Sequence, residues 1–119
     1  MSRHNDALYL YHIQQACQKI LHRLRGVSRA AFDADDEKQD GIIRQMEIIG
    51  EAAGQVSEAF RQIHPVIDWR GMKDVRNVLI HGCADVNLDR VWHIAHTQVP
   101  QLHRQLAAFM SHEEEEDRE

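Results

Sequence analysis

At 119 residues the chain can build one hydrophobic core and not two. Its apolar share of 43% and charged share of 28% exclude a disordered or fibrous polypeptide. The formal net charge of −5 sits in the last eight residues, where HEEEEDRE holds six acids and one arginine. The rest carries 13 acidic and 13 basic side chains, so any attraction for nucleic acid needs a local patch.

The opening MSRHNDALYLYHIQQ has no apolar leader with a small-residue cleavage site, and no run approaches the roughly 20 apolar residues of a membrane span. The two cysteines, Cys17 and Cys83, lie far apart in sequence. The expectation is a cytoplasmic protein with free thiols and no membrane contact.

Leu10, Ile13, Cys17, Ile20, Leu21 and Leu24 recur at helical spacing and predict a first helix, which Gly26 stops. VSRAAFDADDEKQD mixes a short turn with an acidic start suited to the positive end of the next helix. Ile42, Met46, Ile49, Ala53, Val56, Phe60 and Ile63 step by four and three, a seam for antiparallel bundle packing that predicts one helix ended by Pro65. Gly50 and Gly54, one turn apart, are read as points where another helix approaches closely. DWRGMKD leads into a third helix stopping near Gly82. Asn87 is the expected N-cap of a fourth, with Leu88, Val91, Trp92 and Ala95 inward. Pro100 either kinks that helix or starts a fifth, along which Leu102, Leu106 and Phe109 continue the apolar pattern. No segment alternates as a strand, and no internal repeat is visible. The expected fold is an all-α, four- to five-helix up-and-down bundle over residues 1–111, followed by an acidic disordered tail, 112–119.

The third helix carries RNVLIHGC, residues 76–83. At about 100° per residue, Met72, Val75, Val78, Leu79 and Cys83 share one arc, the core face. Lys73, Arg76, Asn77, Ile80 and His81 fall on the opposite arc. Asn77 and His81 are an i,i+4 pair and can touch. Arg76 sits roughly 140° from His81, too far for stacking on a straight helix yet within reach of a shared ligand. Ile80, a large aliphatic residue among polar ones, suggests a surface covered by a partner. The chemistry that fits is phosphoryl transfer in RNA. The 2′-hydroxyl attacks its own phosphodiester, and histidine titrates near neutrality as base or acid. Arginine supplies a fixed, planar charge for the phosphate oxygens. The competing reading makes Arg76 a surface ion-pair partner and His81 a C-terminal helix cation, and spacing alone favours it.

Context tips the balance. RNVLIHG, preceded by DWRGMKDV and IIGEAAGQVSEAF and followed by DVNLDRVWHIAHTQVPQL, resembles the HepT-like toxins of the HEPN superfamily from about Leu8 to Leu106. The opening LYLYHIQQAC, the GEAA element, Trp69 and the Val91–Trp92 pair belong to the same resemblance. It implies an all-α homodimer with a metal-independent endoribonuclease site at the subunit interface, through Arg76 and His81. It also implies a toxin of a type II or type VII-like pair, with an MntA-type nucleotidyltransferase as antitoxin. Asn77 matches the polar residue that commonly follows the arginine, as an auxiliary catalytic or substrate-positioning group. A dimeric site would cover Ile80. One departure stands out: the family's pattern, Arg-x4-His-x-Tyr, places the AMP-acceptor tyrosine where this chain has Cys83. A thiol does not replace a phenol as a simple acceptor. Tyr9 and Tyr11 match no part of that motif, so control here is expected to act by steric masking.

His93 and His96 form an i,i+3 pair, with His103 seven residues on, but no cysteine or carboxylate lies at ligand spacing. They read as polar surface beside Trp92; no metal and no cofactor is expected. Glu51, in the GEAA element, reads as a structural partner of an arginine or helix N-terminus before a catalytic carboxylate. The acidic tail reads as solvated, with mimicry of RNA phosphate as its alternative. Two functions remain: a toxin ribonuclease, and a non-catalytic helical module binding a nucleotide or a partner nucleotidyltransferase.

Overall fold

Short polar side chains set the helix starts. The computed structural model describes the backbone of residues 5–80 and 86–117, and the side chains of residues 5–75 and 86–111. It contains α1 (Asp6–Leu24), α2 (Arg29–Asp33), α3 (Asp36–Gln55), α4 (Glu58–Ile63), α5 (Trp69–Ile80), α6 (Leu88–His96) and α7 (Gln98–Asp117). Asn5, Ser28, Asp35, Ser57 and Asn87 each accept from backbone N–H groups two or three residues on, satisfying donors a helix start leaves open. Asp68 does the same for Gly71 at 2.8 Å, ahead of α5. At the end of α1, Gly26 takes φ +71°, a conformation that suits glycine.

The long helices run up and down. Asp6 at the start of α1 meets Ser57 beyond the end of α3. At the other end, Arg23 donates to the Gly41 carbonyl at 3.2 Å and Lys38 to the Arg23 carbonyl at 3.3 Å. The Asp68 N–H donates to Gln105 and Gln98 to Asp74, so α5 and α7 are antiparallel too. α1 packs chiefly on α3 and α7, and α5 chiefly on α3, with lesser contacts to α7 and α6. Between them lie Leu10, Ile13, Cys17, Ile20, Ile42, Met46, Ile49, Met72, Val75, Leu102 and Leu106, all buried. Burying a large aliphatic side chain contributes roughly 1.5–3 kcal/mol, and this layer is what holds α5 in place. The all-α bundle is as expected; among the described residues there is no strand, and no helix is long and apolar enough to cross a membrane.

Four details depart from the sequence pattern or complete it. The seam from Ile42 to Ile63 is two helices: Val56 is extended at φ −67°, ψ 134°, and Ser57 caps a new start. The 4-3 phase is lost there, which leaves Ile63 70% exposed instead of in the core. Gly54 meets no atom within 4 Å of a would-be Cβ, so it is no point of close approach, whereas Gly50 is buried. Pro100 lies in the first turn of α7, where its missing N–H costs nothing, so it starts a helix and does not kink one. Finally, α7 continues to Asp117, carrying helical backbone into the segment expected to be disordered. Extending an existing helix avoids the nucleation cost, and glutamate is a strong helix former.

Candidate active site

The first five residues of the candidate motif, 76–80, fall on α5. Met72 and Val75 are buried and Lys73 is exposed, which is the register the helical wheel assigns. Arg76, Asn77 and Ile80 fall in the last turns of α5; their side chains, and His81 and Cys83 altogether, lie outside the described residues.

An aromatic cluster fixes the start of α5. The Trp69 indole N–H donates to the His64 carbonyl at 3.0 Å, and its ring stands edge-on to Phe60 at 6.1 Å. Phe60 also stacks against His64 at 4.3 Å and meets Phe109 of α7 edge-on at 5.6 Å. Edge-to-face pairs of this kind add about 0.5–1.5 kcal/mol beyond the area they bury. They tie α4, α5 and α7 together one end of the helix away from the motif. Four residues beyond the motif in the sequence, Asn87 caps α6, whose Val91, Ile94 and Ala95 are buried. Trp92 packs on Phe32 of α2 at 5.3 Å.

Beside α5 runs a groove of about 350 Å³ lined by Gly50, Ala53, Gly54, Arg61, Trp69, Met72 and Lys73. Arg61 donates from Nη2 to the Ala53 carbonyl at 2.5 Å, its guanidinium carbon lies 6.0 Å from the Trp69 ring centre, and its buried Nε has no partner. The periodicity gave no sign of Arg61, because the break at Val56–Ser57 that turns α4 back over the end of α3 is invisible to a heptad count. The signal that could have found it is Ser57 followed at once by Glu58, a helix start inside the seam.

The other candidates fall elsewhere. His93 is exposed, while His96 Nδ1 lies 2.8 Å from the Trp92 carbonyl with its ring on the indole. His103 is half-buried in a basic depression with Lys19, His22, Arg23 and Arg25, and its Nε2 has no partner. Among the described residues, no three His, Cys, Asp or Glu side chains gather as metal ligands. Glu51 is exposed and lines a third groove with Tyr9, His12, Ile48, Ala52 and Gln55. Tyr11 is exposed on α1.

Residues 13–109 match the family model described as ribonuclease HepT-like. A protein of Caldanaerobacter subterraneus subsp. tengcongensis, named as an inferred RNase, is 31% identical over 105 residues, covering 88% of this chain and 94% of its own length. A Thermococcus cleftensis protein named, also by inference, ribonuclease HepT is 34% identical over 83% of this chain and 88% of its own. A Methanocaldococcus jannaschii protein, again an inferred RNase by name, is 28% identical over 98% of this chain and 97% of its own. No solved structure matches. With a family model covering most of the helical bundle and relatives alike along nearly their whole length, the chain belongs to the HepT-like ribonuclease family.

Proposed function

We propose that this RNase is the toxin of a HepT/MntA-type toxin–antitoxin pair, cleaving RNA through Arg76 and His81 at the interface of a homodimer. The reading rests on one observation above all: in a chain of this family, Arg76 falls on α5, whose described half has the core-in, cation-out register, and His81 follows it at the motif's spacing in the sequence. The 2′-hydroxyl of a nucleotide attacks the adjacent phosphorus and its proton passes to a base; the 5′-oxygen leaves as it gains a proton from an acid. His81 carries proton transfer and Arg76 meets the charge gathering on the phosphate oxygens. Asn77 positions His81 or the substrate. Both tasks are met by side chains, so the reaction needs no metal. Ile80 belongs to the subunit contact.

Cleavage of total RNA in the presence of EDTA tests the chemistry. General acid–base catalysis contributes roughly 10²- to 10⁴-fold, and a donor aimed at developing charge about 10²- to 10³-fold. His81→Ala and Arg76→Ala should therefore each fall near background while remaining folded, and Asn77→Ala should lose less. Sedimentation should give a dimer that Ile80→Asp weakens. Undiminished cleavage by His81→Ala would overturn the assignment. The second reading, a helical module that binds a nucleotide or the nucleotidyltransferase without cutting RNA, is favoured by Cys83 standing where the family has its tyrosine.

A further inference from the structure

The bundle outside the acidic end has as many acids as bases, so an RNA strand needs a place where cations are gathered and left uncompensated. The groove between α3, α4 and α5 is such a place. Lys73 lines it, exposed, three and four positions before Arg76 and Asn77 on the same helix. Arg70, also exposed, precedes Lys73 by three. Arg61 reaches the groove from α4, held against Trp69 and the Ala53 carbonyl. Among the described residues none of these three cations makes an ion pair.

Among the described residues, none of the nearby carboxylates forms an ion pair with them. Asp68 accepts from the Gly71 N–H, Asp74 from Gln98, and Glu47 pairs with Arg44. Glu51 lines the separate groove beside Tyr9 and His12. Glu58 is exposed in the first turn of α4 and makes no ion pair with Arg61. The groove floor is small: Gly50, Ala53 and Gly54 present almost no side chain, and a strand's sugar–phosphate backbone can lie close to α3.

We propose that this groove carries the RNA strand away from the scissile phosphate, with Lys73 and Arg61 on its phosphates. The inference rests on the ribonuclease reading for its substrate and extends it to residues outside the Arg-x4-His motif. Phosphate contacts position a strand and carry no sequence information, so the groove supplies affinity and register and leaves specificity untouched. The Trp69 ring, its N–H already used, acts as the wall that holds the Arg61 guanidinium in place.

Binding is measured by fluorescence anisotropy with labelled single-stranded 2′-O-methyl RNA, which lacks the attacking hydroxyl and stays intact whatever the catalytic residues are. Lys73→Glu and Arg61→Gln should each weaken binding several-fold, alike for RNAs of different sequence. Each should make the dependence of log affinity on log salt shallower by about 0.7. With ordinary RNA both should raise KM and leave kcat nearly unchanged. Arg61 also caps α3, so Lys73, which is exposed and supports no other element, is the deciding variant. Lys19→Glu, in the basic depression on α1 and α7, serves as the rival path and should bind as the parent does. Parent-like binding by Lys73→Glu overturns the proposal, and so does a loss with Lys19→Glu as large as that with Lys73→Glu. A parent protein that binds RNA through Lys73 but does not cut it removes the Arg76–His81 assignment and upholds the groove. Cutting that persists with parent-like KM in Lys73→Glu does the reverse.

Discussion

The Asp6 carboxylate accepts two hydrogen bonds from Ser57, one from its backbone N–H and one from its hydroxyl, both at 2.8 Å and across 51 residues of sequence. Ser57 in turn accepts from the Phe60 N–H at 3.2 Å, so one side chain starts α4 while another, from α1, holds it. The pair locks the corner at which the chain leaves α3 and from which Arg61 reaches back toward it.

Hydrogen bonds to a charged group contribute about 1.5–3 kcal/mol, and an N-cap serine about 0.5–2 kcal/mol. Asp6→Ala should therefore lower unfolding stability by about 1.5–3 kcal/mol, and Ser57→Ala by a similar amount. The double variant should lose clearly less than the two added together, because both remove the same contact. Urea denaturation of the four proteins checks this; strict additivity would mean that the two residues stabilise the fold separately.

Cys17 should be chemically silent in the folded protein. It is fully buried, and burial pushes its thiol from the ordinary 9.0 up to about 12. At pH 8, iodoacetamide should leave the Cys17 peptide unmodified in the native state and alkylate it in guanidinium, as read by peptide mass spectrometry. The same shift has a sign for stability. Below pH 9 both folded and unfolded chains keep this proton; above it the unfolded chain releases it and the folded chain does not. Stability from this group is thus lost as pH rises from about 9 toward 12. Cys17→Ala should show a flatter decline over that range.

Ile49 and Ile63 belong to one apolar seam in the sequence and to opposite environments in the fold. Ile49 is wholly buried in α3, and Ile63 is 70% exposed at the end of α4. Ile49→Ala should cost about 2–5 kcal/mol, whereas Ile63→Ala should stay within about 0.5 kcal/mol of the parent. Equal losses would restore the single continuous helix.

Leu10, Ile13, Cys17 and Ile20 of α1 and Ile42, Met46 and Ile49 of the seam all reach the core, because helical period and burial coincide where a helix is long and flanked on one side. Asn87 caps its helix as its residue type suggests. What the pattern misses depends on contacts distant in sequence. Phe32, in a five-residue helix too short to show a period, is completely buried against Trp92. Ser57 redirects the chain because Asp6 waits for it, and no local propensity encodes that pairing. The candidate pair is legible for a different reason. Arg76 and His81 are read from residue type, spacing and family likeness, whereas Arg61 enters the picture only once α4 has folded back over α3.

The last expectation concerns control. In the family's pattern a tyrosine two residues after the histidine accepts AMP from the antitoxin; this chain has Cys83 there. An AMP linked through sulfur is a phosphorothiolate ester, and the softer thiolate is a poor match for phosphorus beside a phenol oxygen. Cys83 should therefore remain unmodified when the protein is incubated with ATP and the nucleotidyltransferase proposed as its antitoxin. The antitoxin should still suppress cleavage, by covering the Arg76–His81 face, and suppression should reverse on dilution with no added mass. Intact-mass and peptide mass spectrometry read the outcome directly. Replacing the thiol with the family's residue, Cys83→Tyr, should restore both a mass gain of one AMP and inhibition that survives dilution. An adduct mapped to Cys83 in the parent would refute the masking account, and one mapped to Tyr11, exposed on α1, would show that the acceptor has moved.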